Sequence, residues 1–134
     1  MGPSEIVVPI KVDADIVAAR QEGRALAAQV GFSGSDQVLI ATAISEAARN
    51  ILQYARSGEI ILDHIKNGEK EGILIIARDE GPGIKDIRRV MEDGYSSSGG
   101  LGLGLPGIKR LMSEMYIQST PGRGTTLTMK KWKL

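Results

Sequence analysis

Six glycines fall within residues 94–107, GYSSSGGLGLGLPG, of a chain of 134 residues. Glycine has no side chain to pack and loses the most backbone freedom when it is ordered. This stretch therefore contributes nothing to a core, and the rest of the fold has to carry it. Such a segment is useful where backbone must approach something closely. Directly behind it, Pro106 suits the first turn of a helix that runs to about Glu114. The free N–H groups and positive dipole end of that helix face the glycine-rich loop, which makes an anion site from backbone alone. A flexible linker would explain the glycines, but not the helix start placed immediately after them.

The remaining residues have to build one core. The length is that of one ordinary domain, and 42% apolar with 25% charged residues is the balance of an average globular protein. Residues 5–12, EIVVPIKV, read as a short strand, with Pro9 pointing to a sheet edge. Asp13 or Asp15 can cap a helix through about Val30, stopped by Gly31. Ser35 can cap a longer helix through about Arg56, with Ile40, Ile44, Ala47, Ala48, Ile51 and Ala55 at helical spacing on its core face. Residues 58–66 and 72–79 read as strands joined at the hairpin signal Asn67-Gly68. A short amphipathic segment, Asp86 to Glu92, precedes the glycine-rich loop. Strands at about 115–120 and 124–132 flank the turn Pro121-Gly122-Arg123-Gly124. This order predicts one α+β domain over residues 1–134: a two-layer α/β sandwich with one mixed, mostly antiparallel sheet and helices on one face. Lys130, Lys131 and Lys133 read as a solvated strand edge.

Several chemistries are excluded. The chain has no cysteine, which removes disulfides, thiolate metal sites and thiol catalysis. Its one histidine, His64, permits no His-based triad and no His-rich metal site. A net charge of +1 argues against a nucleic-acid binder. There is no signal-peptide layout and no apolar run approaching about 18 residues, so no membrane role is expected and a cytoplasmic location is the default. The string GLGLPG at 102–107 matches G-x-G-x-x-G, but no strand directly precedes it and no βαβ unit surrounds it. The Walker A lysine pattern and the H-R-D and D-F-G motifs of protein kinases are also missing.

Three polar groups remain as candidates. Asp79 ends a continuous apolar strand and is followed by Glu-Gly-Pro-Gly83. An ionised carboxylate only accepts hydrogen bonds, so it would select the exocyclic amine of adenine and repel the oxygen of guanine. Gly81 and Gly83 would let a purine ring lie against backbone, although a tight turn also explains them. Glu46 and Asn50 stand four apart on one face of the long helix. An Asn oxygen can ligate Mg²⁺ beside water and phosphate, and a carboxylate one turn earlier can take a proton from an attacking hydroxyl. A solvated helix face is the alternative for this pair. Gly122-Arg-Gly-Thr125 is explained as a hairpin turn, while Thr125 could reach the purine if its strand lies beside Asp79.

Taken together, Glu46-x-x-x-Asn50, Asp79-x-Gly-x-Gly83, the glycine-rich 99–104 and Gly122-x-Gly-Thr125 resemble the N, G1, G2 and G3 boxes of the gyrase, Hsp90, histidine-kinase and MutL (GHKL) ATPases. The resemblance covers about residues 10–132. Within that superfamily, DIVAARQEGR, TAISEAARNI, DEGPGIKDIRRVMEDGYSSSGGLGLGLPGIKRLM and GRGTTL are similar to the stand-alone bacterial serine/threonine kinases. These include the anti-sigma kinases and, closer still, the RsbT-type switch kinases of the stressosome. The resemblance implies the histidine-kinase ATPase-like (Bergerat) fold, with ATP and Mg²⁺ as cofactors. It implies Glu46 as general base, Asn50 as the Mg²⁺ ligand, and Asp79 at adenine with Gly81, Gly83 and Thr125. It implies an ATP lid over 94–104, with Gly99, Gly100, Leu101, Gly102, Leu103 and Gly104 at the nucleotide. The acceptor would be a serine or threonine of a separate STAS-domain protein, after which the kinase would move to a downstream regulator. Tyr54 stands where anti-sigma members have a histidine, a departure that leaves the boxes intact. An ATP-dependent anti-sigma factor, a detached histidine-kinase catalytic domain and a nucleotide-gated module without catalysis are the alternatives. Arg20 and Arg24 on the first helix read either as a solvated face or as part of a partner surface.

Overall fold

The computed structural model describes residues 5–84, 91 and 104–134. The elements run β1 (Ile6–Ile10), α1 (Asp13–Val30), α2 (Gly34–Tyr54), β2 (Gly58–Asn67), β3 (Lys70–Asp79), α3 (Gly104–Leu111), β4 (Glu114–Thr120) and β5 (Gly124–Trp132).

The boundaries have local causes. Asp15 Oδ2 accepts the N–H groups of Lys11 and Val12 at 2.8 and 3.0 Å, which fixes the entry to α1. Gly31, at φ 105, ends that helix in the left-handed region, and its N–H donates to the carbonyls of Ala27 and Ala28. α2 is capped by Ser33 rather than Ser35: the Ser33 Oγ accepts from Asp36 N at 3.2 Å. The β2–β3 turn is shifted by one residue from Asn67-Gly68. Asn67 pairs with Lys70, so Gly68 and Glu69 are the central residues, with Gly68 at φ 65. α3 starts two residues before Pro106 and stops at Leu111, because Ser113 N–H bonds Lys130 O and draws the chain into the sheet. The amphipathic segment expected at 86–92 lies outside the described residues, apart from Met91.

The sheet order is β1-β2-β3-β5-β4, and each ladder is antiparallel. Pro9 lies on an edge strand, as its missing N–H requires. β5 is internal, so the terminal lysines are not a solvated edge. Lys131 Nζ donates to Leu111 O at 2.8 Å, and Lys133 Nζ to Val30 O at 3.0 Å. Each ammonium thus meets the last carbonyl of a helix, where the dipole favours a cation.

The register aligns apolar rows on the helix-facing side of the sheet. One row is Val8, Ile60, Ala77, Leu127 and Ile117; the next is Ile6, Leu62, Ile75, Met129 and Met115. They pack with Ile16, Leu26, Ile40, Ile44 and Ile51 of the helices, and with Ile108 of α3, into one core. Fully burying one of the larger of these side chains, such as Ile60, Leu62, Ile75 or Met129, stabilises the fold by about 1.5–3 kcal/mol.

Candidate functional site

The apolar pattern stops at the next row, which reads Ile10, Gly58, Asp79, Thr125 and Ser119 across the five strands. Here the helix-facing side of the sheet turns polar, and three of the row's side chains bear oxygen. The Asp79 carboxylate is oriented by backbone. Its Oδ1 accepts Gly81 N–H at 2.9 Å and Thr125 N–H at 3.2 Å. Gly58 leaves room beside it: a Cβ there would lie 2.8 Å from Ile51 Cγ2 and 3.1 Å from Asp79 Cβ.

The loop after Asp79 is clamped from two sides. A Cβ at Gly81 would stand 2.5 Å from Ala55 Cβ, at the end of α2. On the other side, Gly122 N–H donates to Pro82 O at 2.7 Å, and Ile84 N–H donates to Ser119 Oγ at 2.7 Å. Gly83, at φ 77, would bring a Cβ to 2.9 Å from the Thr120 carbonyl carbon. Gly124, at φ 106, lets the β4–β5 turn approach within 2.8 Å, measured from its own missing Cβ to Glu80 Cα. The directions in which Gly81 and Gly83 lack a Cβ are therefore filled by protein. In this structure the two glycines let the loop close on its neighbours.

α2 brings its candidates to the same end of the molecule. Ile51 and Ala55, one turn apart, flank Asp79 through Gly58 and Gly81. Asn50 adjoins Ile51, and Glu46 lies one turn before Asn50; both are half-buried. Glu46 Oε1 accepts from Arg49 Nη1 at 2.6 Å, and its side chain is 15% exposed. α3 begins at Gly104, packs on α2, and presents its N-terminus where the chain leaves the glycine-rich segment. Gly99, Gly100, Leu101, Gly102 and Leu103 lie outside the described residues. Arg20 and Arg24 are exposed on α1, and His64 lies half-buried on β2 with Nε2 3.0 Å from Glu71 Oε1.

Ser119 was not singled out by the sequence, although a signal existed. Met115, Ile117 and Ser119 alternate along β4, and the serine breaks an otherwise apolar face opposite Thr125.

Residues 35–134 match the family described as histidine kinase-, DNA gyrase B-, and HSP90-like ATPase. The chain belongs to this family. It is 55% identical over 125 residues to the serine/threonine-protein kinase RsbT of Bacillus subtilis (strain 168), spanning 93% of this chain and 94% of that one. It is 33% identical over 120 residues to the anti-sigma F factor of Thermoanaerobacter sp. (strain X514), spanning 85% of this chain and 82% of that one. The fold is shared with the RsbU and RsbW domains of a Mycobacterium tuberculosis protein. There the TM-score is 0.60 at 24% identity, over 98% of this chain and 32% of that longer one. It is shared also with a chain of the SiaB–SiaC complex from Pseudomonas aeruginosa, with a TM-score of 0.59 at 13% identity over 96% of this chain and 89% of that one. The family and its RsbT relative bear out the α+β ATPase fold, ATP as the nucleotide, and protein serine/threonine kinase as the activity. Among the described residues no helix is long and apolar enough to cross a membrane.

Proposed function

We propose that this kinase transfers the γ-phosphoryl group of ATP, with Mg²⁺, to a serine or threonine of a separate STAS-domain protein of the stressosome type. It would then exchange that partner for a downstream regulator, all within the cytoplasm. The observation that carries the reading is the carboxylate of Asp79. Two backbone N–H groups hold its Oδ1, and Oδ2 is then the acceptor for the 6-amino group of adenine.

The other roles follow from residue chemistry. Mg²⁺ keeps several waters and takes few protein ligands beside phosphate. Among the described residues no cluster of three or more His, Asp or Glu is placed to hold a metal, and the half-buried amide oxygen of Asn50 suits a metal held mainly by phosphate and water. When bound, Mg²⁺ would neutralise charge on the phosphate oxygens. Glu46, shielded and steadied by Arg49, would take the proton of the incoming hydroxyl. The N-terminus of α3 and the glycine-rich 94–104 segment would supply N–H donors to the phosphates.

The deciding experiment is incubation of the kinase with labelled ATP and a candidate STAS protein. Label appearing on a partner serine or threonine supports the proposal. Stable capture of a sigma factor would favour the anti-sigma reading instead. ATP-dependent binding of the STAS protein without label transfer would leave a nucleotide-gated module.

A further inference from the structure

α2 carries few charges. Over its 21 residues, Arg49 is the only basic side chain, and Glu46 is the only acid beyond the first turn. The two stand at i and i+3, on one face of the helix. No other acid lies within a helical turn of Arg49, whose remaining neighbours at that spacing are Ser45, Leu52 and Gln53. Its Nη1 donates to Glu46 Oε1 at 2.6 Å. An exposed pair of this kind adds little to stability, so stability alone does not account for the one cation of the helix standing there.

The pair is asymmetric. The arginine side chain is 52% exposed and the acid 15%. A glutamate side chain has three rotatable bonds, and holding it in one orientation costs conformational entropy. Arg49 pins one carboxylate oxygen. Among the described residues the other, Oε2, accepts no hydrogen bond. No buried side-chain oxygen among them lacks a partner, so Oε2 is open to an incoming group.

A cation beside a base also opposes its protonation. Two effects limit that cost here. Arg49 stands half in water, which screens its charge. Phosphoryl transfer also asks more for placement than for base strength.

We propose that Arg49 is a positioning residue for phosphoryl transfer: by tying Oε1 it aims Oε2 of Glu46 at the hydroxyl of the acceptor serine or threonine. In that step the hydroxyl O–H bond breaks and its proton passes to Oε2. The hydroxyl oxygen bonds to the γ-phosphorus, and the bond from that phosphorus to the β–γ bridging oxygen breaks, its electron pair leaving on ADP. Arg49 touches none of the reacting atoms. The proposal rests on Glu46 as the proton acceptor.

The test compares wild type, Arg49→Ala, Arg49→Lys, Glu46→Gln and the double variant Glu46→Gln/Arg49→Ala. Single-turnover transfer from labelled ATP to the STAS protein is measured over a range of partner concentrations, beside the dissociation constant of ATP. Alanine suits an exposed helix position, so Arg49→Ala should fold. At saturating partner it should slow transfer about 10- to 100-fold, the weight of a misplaced reacting group. The half-saturating partner concentration and the ATP dissociation constant should stay within about twofold of wild type, since the pair holds neither substrate. Arg49→Lys should recover most of the rate, because the contact uses a single nitrogen and an ammonium can supply it. In the Glu46→Gln background, Arg49→Ala should change transfer by less than about twofold, as for two residues acting as one unit. Equal slowing in both backgrounds would mean that Arg49 acts on phosphate or partner directly. A raised half-saturating concentration at an unchanged maximal rate would make it a docking residue. Either result overturns the proposal, as does wild-type transfer by Arg49→Ala. Where Glu46→Gln is too slow to follow, equal rates for Arg49→Lys and Arg49→Ala overturn it. If Glu46→Gln alone transfers like wild type, the reading of Glu46 as proton acceptor fails first and takes this proposal with it.

Discussion

Ala55 closes the end of α2 directly against Gly81: a methyl group at Gly81 would sit 2.5 Å from Ala55 Cβ and 2.8 Å from Ala55 Cα. The second contact is backbone, which cannot turn aside. Gly81→Ala should therefore push the loop away from the helix at a cost of about 1–3 kcal/mol. It should also weaken ATP binding, because the Gly81 N–H is one of the two groups holding Asp79 Oδ1. Gly34→Ala is the control. Nothing lies within 4 Å of a Cβ there, and the variant should be neutral or gain about 0.5 kcal/mol. Denaturant midpoints and an ATP titration on both variants check the contrast.

Asp79→Asn separates recognition from folding. The amide oxygen can still accept from Gly81 and Thr125, so stability should change by no more than about 1 kcal/mol. The NH₂ group would replace Oδ2 and oppose the adenine amine, donor against donor. ATP affinity should fall at least about tenfold, since a buried group is left without its bond. A fluorescent-nucleotide titration beside a thermal melt reads both quantities. Unchanged ATP binding would remove Asp79 from the purine site.

What the sequence made legible was local. Ile40, Ile44 and Ile51 announce the buried face of α2 by spacing alone, and Gly31 announces where α1 must stop. Asp79 is visible because an acid at the end of a continuous apolar strand is anomalous wherever that strand lies. The misreadings are non-local or depend on a choice between equivalent neighbours. Ser33 and Ser35 flank Gly34, and either could cap a helix; the extended backbone at Ser33 settles it. α3 ends early because Ser113 bonds Lys130, seventeen positions on. Lys133 reaches a carbonyl 103 residues back in the chain, at Val30. No spacing rule reveals such a partner. Ser119 needed the β4–β5 register before it could be seen to stand opposite Thr125.

Asp15 gives the fold a predictable response to acid. Hydrogen bonds from the backbone of Lys11, then of Val12, hold its carboxyl below the ordinary value of 3.8. The unfolded chain therefore takes up this proton at higher pH than the folded one. The stabilising contribution is complete above the ordinary value and is lost as pH falls through the depressed folded value. Asp15→Asn should be less stable than wild type at pH 7, and the gap should close on acidification below 3.8. Urea midpoints at stepped pH values measure it. A gap that stays constant or widens in acid would contradict the assignment.

Glu46 offers the clearest separation of binding from chemistry. Its Oε1 accepts from Arg49 Nη1 at 2.6 Å, with side-chain exposures of 15% for the acid and 52% for the arginine. A pair this open on one side contributes at most about 1 kcal/mol, so removing its charge should barely change the melt. Glu46→Gln keeps the size and the oxygen that Arg49 needs, but a neutral amide cannot take a proton from the attacking serine or threonine. ATP affinity should stay within about twofold of wild type, while phosphoryl transfer falls by about 10²–10⁴-fold. Single-turnover transfer to the partner protein, measured beside the ATP dissociation constant, distinguishes the outcomes. A variant that loses ATP binding and transfer together would make Glu46 a structural residue of α2, and the proton acceptor would have to be sought elsewhere.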